Sequence, residues 1–165
     1  MKRRKILLLI LLIPLILVVA DYINFRITRI ENIYHNDFKD NLYKITQDNE
    51  QFKMREVTNF KWDKMYIVAP YTSKSEMEEI VGKKWTTSNT YLGYLFEKTF
   101  FGKYPLDGDL FHKLIFTRKG EVMLDITLNR MDIDFMEVKN RVCSNDVEFF
   151  IKEERNKRII LYDKD

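Results

Sequence analysis

A single cysteine, Cys143, excludes an internal disulfide, so any folded domain here stands on packing alone. It also excludes a lipoprotein, because lipid attachment needs a cysteine directly after an export segment. Two histidines, His35 and His112, leave little material for nucleophilic catalysis, which needs a base beside a nucleophile. His112 alternates with Leu110 and Leu114 and reads as a structural residue on a strand. Cys143 reads as a small buried apolar residue, or else as an exposed thiol. The five glycines are scattered at turns, so there is no phosphate-cradling loop. No excess of either charge is present beyond the N-terminus. The 28 basic and 25 acidic residues give +3, and four of the basic ones are Lys2 to Lys5. The remainder is near neutral, which argues against a nucleic-acid partner. Repeats and low-complexity segments are missing too.

Metal ligands are equally sparse. Asp107-Gly108-Asp109 has turn chemistry. Asp132 and Asp134 would share one side of a strand, but calcium needs six or more oxygens. No cofactor is expected. Paired carboxylates for glycoside cleavage have no distinguishing spacing among 25 acids.

What is present begins with Lys2-Arg3-Arg4-Lys5 followed by an apolar run from Ile6 to Ala20. A basic flank stays in the cytoplasm and an apolar run enters the export machinery. As a helix the run covers about 22 Å, against a hydrocarbon core of about 30 Å. Extension to Phe25 closes the gap, with Tyr22 and Phe25 in the interface and Asp21 and Asn24 at its outer edge. The expected organisation is a cytoplasmic tail over 1–5, a transmembrane signal-anchor over 6–25, a helical stalk over 26–48 and an extracytoplasmic domain over 49–165. The alternative is a secreted protein, cleaved after the Val-x-Ala site ending at Ala20. After Asp21 the chain carries Ile23, Ile27, Ile30, Tyr34, Phe38 and Leu42 at helical spacing, as in a helix leaving the membrane without a break. This stripe fits a stalk, a helix packed on the domain, or a coiled-coil dimer seam.

From Gln51 the period changes. Met65 to Ala69 reads as a buried strand that ends at Pro70. Ser73 to Gly82 reads as a short helix, with Ser73 and Glu76 at capping-box spacing and Gly82 as its stop. Residues 86–105 leave strand and irregular structure both open. Leu110 to Thr117 and Val122 to Leu128 make a hairpin across Arg118-Lys119-Gly120-Glu121. In the second arm Val122, Leu124, Ile126 and Leu128 point inward, while Met123, Asp125, Thr127 and Asn129 face mostly water. Val147 to Lys152 and Arg158 to Tyr162 make a second hairpin. The expected fold is α+β: one antiparallel sheet of about five strands, carrying one short helix.

Phe60 to Lys74, Ile80-Val81-Gly82 and Leu114 to Val122 resemble segments of a family of small membrane-anchored or exported proteins from low-GC Gram-positive bacteria. The resemblance spans most of residues 52–162. It implies a compartment and a fold family, and carries no activity and no site residues. A capped helix before an antiparallel meander is also similar to envelope domains of the beta-lactamase-inhibitor-like and outer-membrane-assembly lipoprotein type. Those usually carry two helices before the sheet.

Aromatic residues make up 14% of the chain, more than a core of this size obviously needs. Trp85, Tyr91, Tyr94 and Tyr104 are the candidate interaction surface, since long irregular segments carry function more often than frames do. The expected role is a non-catalytic binding or interaction module of the cell envelope, with the lipid bilayer and an envelope protein as partners. The alternative is an enzyme or inhibitor acting on a cell-wall or other extracellular substrate.

Overall fold

The computed structural model describes residues 2–99, 102, 106–138, 142–155 and 157–162, with side chains of the N-terminal helix from Ile10 onward, Leu11 excepted. The elements are α1 (Lys2–Thr28), α2 (His35–Asp48), β1 (Gln51–Lys53), α3 (Met54–Val57), β2 (Lys64–Val68), α4 (Lys74–Val81), α5 (Tyr91–Glu97), β3 (Phe111–Arg118), β4 (Glu121–Asn129), β5 (Ile133–Asp134), β6 (Val142–Ser144), β7 (Glu148–Glu154) and β8 (Lys157–Leu161). The class is α+β as expected. Among the described residues, however, the strands number eight, in two sheets of four rather than one sheet of about five. Of the five helices among the described residues, α1 and α2 fall over the expected span and stalk, α4 is the expected short helix, and α3 and α5 are additional. The additional strands β1, β5 and β6 span only two or three residues, too few for any alternation to register.

The first sheet has the order β4-β3-β2-β6 and is antiparallel throughout. The second has the order β1-β7-β8-β5, with β5 parallel to β8. The larger core contains Phe116 and Leu114 of β3, Phe149 of β7, Phe135, and Phe38 and Leu42 of α2. A smaller core lies against Ile115 and Tyr66, beneath Met77 of α4, Trp85 and Leu106. Sheet one is therefore buried on both faces. The expected wet face of β4 is corrected by this: Asp125 is buried. Val122 also changes company. A register shift between Phe116 and Thr117 skips Met123 and places Val122 in the smaller core.

The stalk expected over 26–48 is not one helix. Helix α1 stops at Thr28, and Asn32 takes a left-handed φ of 51° before α2 begins. Asparagine visits that region more readily than most residues. Its side chain then acts like a strand's backbone: Nδ2 donates to the Asp125 carbonyl at 2.8 Å, and Oδ1 accepts from the Asp125 N–H at 2.9 Å. The stripe of α2 is spent inside the domain, where Phe38 and Leu42 are fully buried. A dimer seam through those two residues is thereby corrected, because they have no exposed surface to offer a second chain.

Helix α4 forms as its sequence predicts. The Glu76 N–H donates to Ser73 Oγ at 3.3 Å, while the Ser73 N–H donates to the Glu76 carboxylate at 2.7 Å. Gly82 closes the helix at φ 76°. A β-carbon there would meet nothing within 4 Å, so only backbone conformation opposes one. Gly82→Ala is expected to cost about 1 kcal/mol in a urea unfolding titration. A neutral result would place the helix stop elsewhere.

Among the described residues no helix is long and apolar enough to cross a membrane. The span expected over 6–25 lies partly outside the described side chains.

Candidate functional site

Strands β3 and β4 pair Lys113 with Thr127 and Ile115 with Asp125, so Lys113 and Asp125 are diagonal neighbours on the face of sheet one that α4 covers. The Lys113 ammonium meets the Asp125 carboxylate at 2.6 Å. Their side chains are only 9% and 4% exposed. Trp85 Nε1 donates to the second carboxylate oxygen at 2.9 Å, and the indole itself is buried. A buried charge pair is tolerated only when its remaining hydrogen-bonding positions are also filled, and Trp85 fills one.

This pair forms the floor of a cavity of about 370 Å³. Its walls are Met77 and Lys74 of α4, Trp85, Thr86 and Thr87 of the following loop, and Glu97 at the end of α5. Glu97 is held tightly. It accepts from Thr86 Oγ1 at 2.9 Å and from Ser88 Oγ, and pairs with Lys74 at 3.5 Å. Asp107 also lines the cavity and is exposed. The cavity thus offers an indole wall, hydroxyls and both signs of charge. That donor set suits a polar ligand of mixed charge. Asp125, which is buried, and Glu97, which is exposed at the cavity rim, are each engaged by two or more donors.

Three of the four aromatics expected at an interaction surface are described; Tyr104 lies outside the described residues. Trp85 is buried as the cavity wall, and Tyr94 is buried against α1. Neither is an exposed platform. Thr90 caps α5, its Oγ1 accepting from the Gly93 N–H at 3.1 Å. The helix then presents Tyr91 and Tyr94, with the adjoining Lys98, to the end of α1. Tyr91 donates to the Asp21 carboxylate at 3.0 Å, and Lys98 meets its other oxygen at 2.6 Å. Asn24 Nδ2 donates to the Tyr94 hydroxyl at 2.7 Å. Tyr94 and Tyr91 pack around Phe25 with ring centroids 5.3 and 5.8 Å away, and the Lys98 ammonium sits 4.0 Å from the Tyr94 ring centroid. Beyond Thr28 the chain bridges directly to the cavity loop. The Ile30 N–H donates to the Thr86 carbonyl at 3.0 Å, and the Thr86 N–H donates to the Thr28 carbonyl at 2.9 Å. The aromatics of this region thus hold α1 to the domain, and Glu97 of the same short helix forms the cavity wall.

The remaining candidates have structural places. His112 is fully buried, with its ring centroid 5.9 Å from that of Phe135. Cys143 lies opposite Met65, which lies opposite Phe116, four positions along β3 from His112. That offset is about 13 Å along the strand, so no thiol–imidazole pair forms. Burial pushes the Cys143 thiol up to about 11. Asp132 accepts from the Tyr43 hydroxyl at 2.9 Å, whereas Asp134 is buried between Arg130 and Lys157. Among the described residues no cluster of three or more histidines, cysteines or acids is placed to hold a metal ion. No protein-family model, no curated protein and no solved structure matches this chain.

Proposed function

We propose that this chain is a membrane-tethered, non-catalytic binding module of the cell envelope, with its domain outside the cytoplasm and its cavity facing the membrane-proximal side. The observation that carries the reading is the surface of α1. Ile10, Leu12, Ile13, Leu15, Ile16, Leu17, Val18 and Val19 are all about half exposed or more, and their positions run around every side of the helix. Soluble monomers rarely leave a contiguous apolar surface of that size open to water. The basic residues Lys2 to Lys5 precede it, as they do in segments whose N-terminus stays in the cytoplasm. The full run from Ile6 to Phe25 has the length for a span, counted over residues that include those outside the described side chains.

The junction between α1 and the domain supports a fixed mount rather than a loose leash. Asp21, Asn24 and Phe25 are all engaged by α5 and the adjoining Lys98, and Thr28 and Ile30 by the cavity loop. A cavity wall supplied by α5 is thereby held at a set distance from the apolar helix. The resemblance to exported Gram-positive proteins points to the same compartment.

The test is protease treatment of intact spheroplasts expressing the chain with a C-terminal tag. The expected result is a full-length band in the membrane fraction that disappears when protease is added outside. A band that resists external protease would overturn the topology. A shortened band in the medium would show cleavage near Ala20 and overturn the tether.

A further inference from the structure

We infer that α5 lies in the outer leaflet beside α1, with Leu92 and Phe96 in contact with lipid acyl chains. The inference rests on the membrane-tethered reading and adds a second membrane contact made by the folded domain itself.

Three observations converge. First, α5 has an uncovered apolar face. Leu92 is 78% exposed and Phe96 57%, and their spacing of four residues places both on one side of the helix. The adjoining face, with Tyr91, Tyr94 and Lys98, is the one turned to α1. Second, the level at which α5 meets α1 is set by Asp21, Asn24 and Phe25. The apolar surface of α1 does not stop at that level. Ile23 is 52% exposed and Ile27 72%, the latter lying beyond all three of those contacts. A bilayer deep enough to cover Ile23 and Ile27 therefore also reaches α5. Third, the length of the run permits such depth, with Ile6 to Phe25 already matching the core and Ile27 lying just beyond. Ile6 to Ala20 falls about 8 Å short of the hydrocarbon core, while Ile6 to Ile27 spans about 33 Å.

Asp21 is the obvious objection, as a charge near the acyl region. The domain answers it, since Lys98 neutralises the carboxylate and Tyr91 hydrogen-bonds it. Tyrosine at this level suits the headgroup boundary, where an aromatic ring is apolar and its hydroxyl wet. The charge next to the patch also matches. Arg26, one turn beyond Tyr22, has no ion pair among the described residues and is exposed, available to lipid phosphate.

The test places a polarity-sensitive thiol-reactive fluorophore on the full chain at Leu92→Cys, at Phe96→Cys, and at Phe150→Cys as a reference. Phe150 is 44% exposed on β7, an element that pairs with β1 and β8 in the second sheet. Cys143 is buried, so labelling is confined to the introduced thiols. Each protein is reconstituted in vesicles of phosphatidylcholine and phosphatidylglycerol and floated on a density gradient. Emission at positions 92 and 96 is expected to shift to the blue and to lose most of its intensity when the acyl chains carry bromine, while position 150 does neither. Flotation with water-like, unquenched emission at 92 and 96 would overturn the inference and leave the tether standing. Failure of all three proteins to float would overturn the tether, and this inference with it.

Discussion

Asp125→Ala is expected to lower the unfolding free energy by about 3–5 kcal/mol, the cost of stranding a buried cation. The Lys113 ammonium would remain beneath α4 without its partner 2.6 Å away. Trp85 Nε1 would lose its acceptor as well. The neutral double variant Lys113→Met with Asp125→Asn discriminates between causes. Methionine approximates the lysine stem, and the asparagine oxygen still accepts from Trp85. No ion is then left buried, and most of the lost stability should return, because a buried pair contributes little net stability beyond a well-packed neutral replacement. The backbone bonds from Asp125 to Asn32 survive every one of these changes. The measurement is urea unfolding of the full chain in mild detergent. A loss below about 1 kcal/mol for Asp125→Ala, the size expected of a solvated pair, would mean that α4 and Trp85 do not close over sheet one in solution.

That ion pair also marks where reading the sequence fails. The alternation along β4 is real, but alternation reports only that two faces differ, not that one is wet. A lone carboxylate in a strand is usually solvated, and that habit alone puts Asp125 on the wet side. Its burial depends on Trp85, 40 positions earlier, and on Lys113 across the hairpin, which are contacts that no local pattern encodes. The elements legible in advance are those specified locally. The Ser73–Glu76 box and the left-handed Gly82 define α4 within ten residues, and Lys119-Gly120, both at positive φ, define the first hairpin. Helix α5 is hidden because its seven residues are mostly aromatic or large aliphatic, and period 3.6 needs a longer window. The break at Arg29–Tyr34 is hidden for the opposite reason. Ile27, Ile30, Tyr34 and Phe38 keep helical spacing straight through it, and the interruption comes from distant partners, the Thr86 backbone that Thr28 and Ile30 bridge to and the β4 backbone that Asn32 pairs with. The aromatic excess is visible in composition, but its use is internal: Tyr91 and Tyr94 hold α1, and Trp85 serves the cavity.

Asp134→Asn is the second substitution with a large expected effect, and its effect should depend on pH. Asp134 is buried at the start of sheet two's parallel edge, where β5 meets β8. Arg130 grips both carboxylate oxygens, Lys157 meets one at 2.6 Å, and the Met136 N–H donates at 2.9 Å. Burial alone would raise its pKa, but the hydrogen bonds from Arg130, Lys157 and Met136 outweigh it and hold the carboxyl below its ordinary value. A carboxyl whose pKa falls on folding contributes stability that is fully present above the unfolded value of about 3.9, and that stability is lost as pH drops through the lower folded value. At neutral pH Asp134→Asn should therefore cost about 2–3 kcal/mol, less than a fully buried ion would, because Arg130 and Lys157 can turn partly to water. Below about pH 4 the native protein loses this contribution while the variant has none to lose, so the gap between them should close. Unfolding free energies for both chains at a series of pH values from neutral to acid give the answer. A gap that stays constant down to the acid end would mean that the Arg130–Asp134–Lys157 cluster holds sheet two by shape rather than by charge.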